Sequence, residues 1–351
     1  MIHSINSSNL QQYDVIIIGG GPAGLQCALE LSRSDLRILL LEKELDFGDK
    51  LCAGGLTVKD VQLLSLPQHL MQQSVQHAAL HSRKRTAHTS SKTPFLYTVN
   101  RVELGRWQRN LLEGTDVEVR TGSQVTEIGD EKVMLKSGET FGFRILVGAD
   151  GYASVVRRHL GLKVKKRLIG YQYTIPVSNV KPVLEMFLDA RRFDAWYAWS
   201  FPHRTSIAIG CCCDPRKTDH LKVRNNFLEW LRERNIDPGK AELESYPIGC
   251  DYRGFHFGNI FLAGEAAGLA SWFTGEGIYQ SLVSGQEIAR MIIDPHHEPV
   301  MFRQVLKYNR ILERILRVFL IAGPLKGPFQ EFLIFLVTRK RISDRINTEY
   351  T

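Results

Sequence analysis

An α/β fold is what this sequence predicts: a parallel sheet with crossing helices, a second and largely antiparallel sheet, and a helical tail. Three observations predict it. A run of β-branched residues, Val15 to Ile18, ends in a glycine-rich turn, then a helical pattern and a second apolar run. Two further short apolar strands, over 145–148 and 260–263, each lead into glycine and an acid. Residues 167–213 read as strands separated by turn signals, whereas the chain after 295 reads as helix.

Residues 13–43 make the first unit. Gly19, Gly21 and Gly24 match G-x-G-x-x-G between a strand and a helix. Gly19 permits the tight turn, Gly21 lets a pyrophosphate approach the backbone, and Gly24 lets the helix pack on the strand. The helix N-terminus, with Pro22 and Ala23, faces the phosphates. Glu42, followed by Lys43, closes the second strand at the spacing of an acid that holds an adenosine ribose 2′-OH. The unit predicts a Rossmann-type dinucleotide site.

With 351 residues and 44% hydrophobic content, the chain has room for two modest domains, or one large discontinuous one, around a real core. Its net charge of +8, from 45 basic and 37 acidic residues, fits either simple solubility or an anionic partner, and solubility is the simpler reading. Six cysteines lack metal-ligand spacing, and Cys211, Cys212 and Cys213 cannot pair among themselves, so a reduced, cytoplasmic setting is expected. Residues 1–12 carry no signal-peptide pattern, and no apolar stretch reaches bilayer-spanning length. No zinc spacing, Ser/His/Asp arrangement or nucleic-acid module is present.

Gly48, Gly54 and Gly55 make residues 47–57 a flexible loop in which backbone can approach a flat ligand. Cys52 sits in that loop, where the local sequence favours a small residue filling a tight turn. Residues 61–98 are polar and read as solvated hairpins of an inserted region. A helix is expected over 99–114, with Arg101 at its start and Val102, Trp107, Leu111 and Leu112 on one buried face. Residues 117–151 alternate like antiparallel strands, finishing in a buried strand before Asp150 and Gly151.

A helix over 223–239 buries Phe227, Trp230 and Leu231, and Gly264-Glu265 ends the strand at 260–263. Thr274, Gly275, Glu276 and Gly277 then open a long helix starting at Ile278, whose free N–H groups favour a negatively charged ligand. The tail has apolar patches at 315–323 and 332–337, followed by Arg339, Lys340 and Arg341. Packing on the body and lying in a membrane interface are equally good readings of it.

The N-terminal fingerprint, the Asp150-Gly151 turn and the Gly264-Glu265 strand end together resemble the FAD-binding set of the para-hydroxybenzoate-hydroxylase-like flavoproteins. Within them, the chain looks most like the geranylgeranyl reductase family. Tyr197, Trp199, Phe201 and Pro202, with Gly210, are similar to that family's Y-x-W-x-F-P…G signature, and Cys52, Ala53, Gly54 and Gly55 to its C-x-G-G loop. The resemblance implies an FAD-binding domain over 1–60, 99–165 and 249–294, a substrate domain over 61–98 and 166–248 forming a sheet over the flavin, and a helical region over 295–351. It implies that Gly19, Gly21, Pro22, Ala23, Gly24, Glu42 and Lys43 hold the ADP half. Cys52, Ala53, Gly54, Arg101, Val125, Asp150, Gly151 and Gly264 would line the rest of the cofactor. Glu265 stands where the family has an aspartate binding the ribityl chain. Gly275, Glu276, Gly277 and Ile278 would set a helix N-terminus against the flavin pyrimidine edge.

That family reduces carbon–carbon double bonds of prenyl chains. An isolated alkene is a poor hydride acceptor, so its site should be dry, apolar and lined by aromatic faces that tolerate developing positive charge. Trp196, Tyr197, Trp199, Phe201, Trp272 and Phe273 are candidates for that lining, and equally what a β-sheet core contains. Cys52 is a candidate proton donor or redox-active thiol, with Tyr197 and Trp199 beside it in the catalytic set. The electron donor is NAD(P)H or a small electron carrier. A flavin monooxygenase or halogenase on the same scaffold is the first rival, since tryptophan halogenases carry a related W-x-W-x-I-P motif. A flavin-binding protein without turnover is the second.

Overall fold

The computed structural model describes residues 10–338. Residues 1–9 and the basic Arg339, Lys340 and Arg341 lie outside the described residues.

The first sheet grows from the buried strand Gln11–Ile18, which pairs in parallel with Ile38–Leu41 on one side and Thr140–Gly148 on the other. Ile260–Leu262 extends the parallel set beyond Thr140–Gly148, and Glu118–Arg120 extends it beyond Ile38–Leu41. Every side chain of Ile38–Leu41 and Ile260–Leu262 is buried, as expected of strands covered on both faces. Residues 117–151 are therefore only partly antiparallel. Val125–Ile128, Lys132–Leu135 and the first half of Thr140–Gly148 form a meander, but Glu118–Arg120 joins the parallel edge. Alternation in a strand this short does not distinguish a parallel from an antiparallel neighbour.

Helices Pro22–Leu31 and Ile278–Ile293 pack closely on one another. A Cβ on Gly285 would collide with the Ala23 carbonyl, so glycine sets how near they approach. Helix Arg101–Asn110 starts on Asn100, whose side-chain oxygen accepts the Val102 and Glu103 N–H groups. Its buried face is Leu104, Gly105 and Gln108; Leu112 is buried as expected just past the helix end, Val102 and Trp107 are half-buried, and Leu111 is exposed. The difference from the expected stripe has a cause: Gly105 lets the helix press against the backbone of Phe47 and Gly48.

The second sheet has seven strands. Glu244–Gly249, Arg167–Pro176, Ser206–Cys213, Ala198–Pro202 and Val183–Phe187 run antiparallel in that spatial order. The hairpin His77–His81 and Thr86–Ser90 completes the edge, with His77–His81 parallel to Val183–Phe187. Much of the polar 61–98 segment is thus sheet. Met71–Val75 and Leu96–Val99 form a third sheet with Gly55–Thr57. Helix His220–Glu233 lays Phe227, Trp230 and Leu231 on the second sheet, and Leu316 and Phe319 of helix Val300–Ile321 join the same core. The three consecutive cysteines are buried there, and all six cysteines are free thiols.

Candidate functional site

The glycine turn after the first strand is built as its sequence requires. Gly19 has φ +107°, and a Cβ on it would press into the backbone of Ala149 and Asp150. A Cβ on Gly24 would strike the Gly19 carbonyl, whereas one on Gly21 would meet nothing within 4 Å. Gly21, the N-cap of the helix beginning at Pro22 and Ala23, is the open position of the three. Glu42 is buried, and its carboxylate accepts the Gly20 N–H at 2.5 Å and the Glu44 N–H at 2.9 Å. The acid therefore also holds the turn. Lys43 is exposed beside Glu44, and Val125 is buried in the core beneath the sheet.

Two buried polar atoms lack partners at expected cofactor positions: Arg101 Nη1 and Asp150 Oδ1. The other Asp150 oxygen accepts the Val155 N–H at 2.6 Å, capping the short helix after Gly151 (φ +71°). Burial pushes the Asp150 carboxyl upward, against the hydrogen bonds that pull it down. An open Gly21 edge, a free guanidinium nitrogen and a free carboxylate oxygen fit a dinucleotide's phosphates and hydroxyls.

At the same, C-terminal end of the parallel strands, Gly264 has φ +56°, lies against Ala23 of the first helix, and has its N–H held by Ser284 Oγ at 2.9 Å. Glu265 forms an ion pair with Lys50, which sequence reasoning did not single out. The extra methylene of Glu265 was the one available hint that this acid reaches further than an aspartate. Lys50 also lies 4.6 Å from the centre of the Tyr246 ring. Gly275 (φ +71°), Glu276 and Gly277 precede the helix at Ile278 as expected, and the Gly277 N-cap offers no side-chain cap. Burial and the neighbouring Asp60 push the Glu276 carboxyl up to about 7, and burial pushes Asp60 to about 6.

The tertiary structure brings together two motifs that lie far apart in the chain. Trp199 Nε1 donates to Gln172 Oε1 at 3.3 Å, and Gln172 Nε2 donates to the Cys52 carbonyl at 3.3 Å. Phe201 packs against Gly55, where a Cβ would sit 2.5 Å from its ring. His203 Nε2 bonds the Ala53 carbonyl at 3.0 Å, and Gly54 is the residue that leaves room for its ring. Burial lowers the His203 pKa, partly offset by that hydrogen bond. Gln172 and His203 were missed because neither stands in a motif; only strand pairing places them beside the loop.

The remaining aromatics divide. Trp196 is fully buried and donates to the Trp272 carbonyl at 2.9 Å, while Trp272 Nε1 donates to Asp214 at 2.8 Å. Tyr197 donates its hydroxyl to the Thr274 carbonyl at 2.7 Å, linking the aromatic strand to the turn before Gly275. Phe273 is partly buried, its ring tilted 31° to that of Phe319 at 5.9 Å between centroids.

An FAD-binding domain family matches residues 12–293. Geranylgeranyl diphosphate reductase of Rhodobacter capsulatus is 25% identical over 296 residues, covering 79% of this chain and 74% of that protein. Digeranylgeranylglycerophospholipid reductase of Methanocaldococcus jannaschii is 24% identical over 349 residues, covering 86% and 87%. Among solved structures, a geranylgeranyl bacteriochlorophyll reductase-like protein of Thermoplasma acidophilum superposes with a TM-score of 0.77 at 20% identity, covering 94% of this chain and 92% of that one. The p-nitrophenol 4-monooxygenase of Pseudomonas putida superposes with a TM-score of 0.72 at 16% identity, covering 97% and 98%. The shared fold therefore spans both reductases and monooxygenases. With its glycine turn, its unpartnered Arg101 and Asp150 atoms, and a match over most of its length, the chain belongs to the FAD-binding domain family of flavin-dependent oxidoreductases, among relatives that include the geranylgeranyl reductases.

Proposed function

We propose that this protein reduces carbon–carbon double bonds of a lipophilic, prenyl-bearing substrate. The observation that carries the reading is the seating of the Cys52–Gly55 loop on the strand Ala198–Pro202, through Trp199–Gln172–Cys52, Phe201–Gly55 and His203–Ala53. The names of the relatives agree with it.

In this reading Gly19, Gly21, Gly24 and Glu42 hold the ADP half of FAD, Arg101, Asp150 and Glu265 its middle, and residues 275–278 its ring. FAD held by these residues would, once reduced, supply hydride chemistry toward one alkene carbon. The chain supplies the proton for the other carbon, and the Cys52 thiol, in the loop that meets the aromatic strand, is the group assigned to it. Trp199, Tyr197 and Phe201 keep the region apolar, so that a developing carbocation meets aromatic faces rather than water. The reductant is NAD(P)H or a small electron carrier.

The deciding experiment is anaerobic. Purified protein is reduced with dithionite, and a geranylgeranyl lipid is added without oxygen. Flavin absorbance should return, and the product mass should rise by pairs of hydrogens. A flavin that stays reduced until air is admitted, followed by a hydroxylated product, would replace the reductase reading with the monooxygenase one. A flavin that no donor reduces would support a binding protein without turnover.

A further inference from the structure

Beyond the flavin site, the C-terminal helices carry a surface that the oxidoreductase chemistry leaves unexplained. Helix Val300–Ile321 and helix Lys326–Val337 are joined through Gly323–Leu325 at a bend of 110°. Their inner sides are fixed to the body. Leu316, Phe319 and Ile334 are buried, Gln330 Oε1 accepts the Ala190 N–H at 2.9 Å, and Glu331 holds the hairpin tip at Ser82 and Lys84.

Their outer side is apolar and exposed. Ile311, Ile315 and Val318 recur at spacings of four and three and so share one helix face. At the bend the exposure is greatest, with Ile321 84% and Leu325 66% accessible, and Phe332 follows on the second helix. Most of the exposed large hydrophobic side chains among the described residues lie on this pair. Scattered exposed apolar residues are ordinary, but a continuous set on one bent element calls for a partner.

Charge selects the partner. Arg310 and Arg314 are exposed along the flank of the apolar stripe, and Arg317 is exposed there as well, paired with Glu313. Arg83, Lys84 and Arg85, at the tip of the hairpin gripped by Glu331, are exposed as well, and they line a cavity of about 800 Å³ with Pro324 and Phe332. Three acids share those surroundings, but Asp189 is paired with Arg192, Asp194 with Lys326, and Glu331 is engaged by the hairpin. Neither helix alone is long and apolar enough to cross a bilayer, although the bent pair together has the composition of a broken or re-entrant span. An apolar bend rimmed by arginine and lysine suits the interface of an anionic leaflet, where side chains enter the acyl boundary and cations meet phosphates. A second copy of the chain would instead set one basic rim against another.

We propose that this bent pair docks the protein on anionic phospholipid membranes, with Ile321 and Leu325 inserted and the 83–85 tip and helix-flank arginines on the headgroups. The proposal stands whether or not the substrate is a prenyl lipid. It is tested by flotation of the full, FAD-loaded chain with vesicles of phosphatidylcholine alone or mixed with phosphatidylglycerol, together with its molar mass in solution by light scattering.

The wild type should float with the mixed vesicles, bind the neutral ones at least about tenfold more weakly, and release in high salt. Ile321→Ser/Leu325→Ser, changing only exposed positions, should lose at least about tenfold in affinity with an unchanged flavin spectrum and melting temperature. Arg83→Ala/Lys84→Ala should lose the preference for anionic lipid while keeping the fold. Failure of the wild type to float, variants that bind like the wild type, or a dimer that Ile321→Ser/Leu325→Ser converts to monomer would each overturn it.

Discussion

The Lys50 ammonium pairs with the Glu265 carboxylate, tying the loop that carries Cys52 to the end of the strand Ile260–Leu262. Burial alone would lower the lysine pKa, but Glu265 and Tyr246 outweigh it and hold Lys50 above its ordinary value. A side chain one methylene shorter reaches this partner less well. Glu265→Asp should therefore loosen the loop. Amides of residues 48–55 should exchange about tenfold faster, matching the ~1.5 kcal/mol of one charge-assisted hydrogen bond. Exchange unchanged from wild type would show that the pair does not restrain the loop.

Two of the fingerprint glycines, Gly24 and Gly21, should fail in different ways. Gly24→Ala forces a Cβ onto the Gly19 carbonyl and should destabilise the flavin-free protein by about 1–3 kcal/mol. Gly21→Ala meets open space at an ordinary φ of −74°. It should leave the flavin-free melting temperature within about 2 °C, yet weaken FAD binding. Calorimetry of the two apoproteins, with flavin titration, separates folding from cofactor approach.

Cys52 is half-buried, and its sulfur accepts the Gly54 N–H at 3.3 Å. If it delivers the proton, Cys52→Ser should lower turnover by about a hundredfold, within the usual span for general acids, with FAD content unchanged. Full turnover in the loaded variant would remove Cys52 from the mechanism and leave it a packing residue of the loop.

Asp60 and Glu276 set a pH dependence. Burial first, then their mutual repulsion in the case of Glu276, raises both carboxyls, to about 6 and about 7. The folded state thus binds protons that the unfolded chain has released, and these groups make stability fall as pH rises from the ordinary carboxylate range to about 7. Glu276→Gln should stabilise the flavin-free protein at pH 8 and change little near pH 4. Thermal melts of variant and wild type at both pH values give that difference free of Asp14, Glu118 and Glu313, whose pKa values shift downward.

Trp196 allows the core and substrate-lining roles to be told apart. Its indole is fully buried and bonded to Trp272. Trp196→Phe should cost about 1 kcal/mol for the lost hydrogen bond, and Trp196→Ala about 3–5 kcal/mol. A core role predicts that the Phe variant keeps the wild-type KM. A raised KM at unchanged melting temperature would place the ring against substrate instead.

Local chemistry explains what was legible in the amino-acid order alone. Val15–Ile18, the glycine spacing and Glu42 specify a strand, a turn and a helix through short-range sterics, and the Asp150-Gly151 and Gly264-Glu265 ends follow from the same logic of buried strand and tight turn. Tertiary contact decided the rest. Glu118–Arg120 chose a parallel neighbour because Ile38–Leu41 offered a free edge, and the polar 61–98 segment became sheet because its hairpin found Val183–Phe187. Lys50 met Glu265, and Gln172 and His203 met the Cys52 loop, through pairings between residues more than a hundred positions apart. No periodicity in a sequence records such meetings, because they depend on where separate strands come to rest against each other.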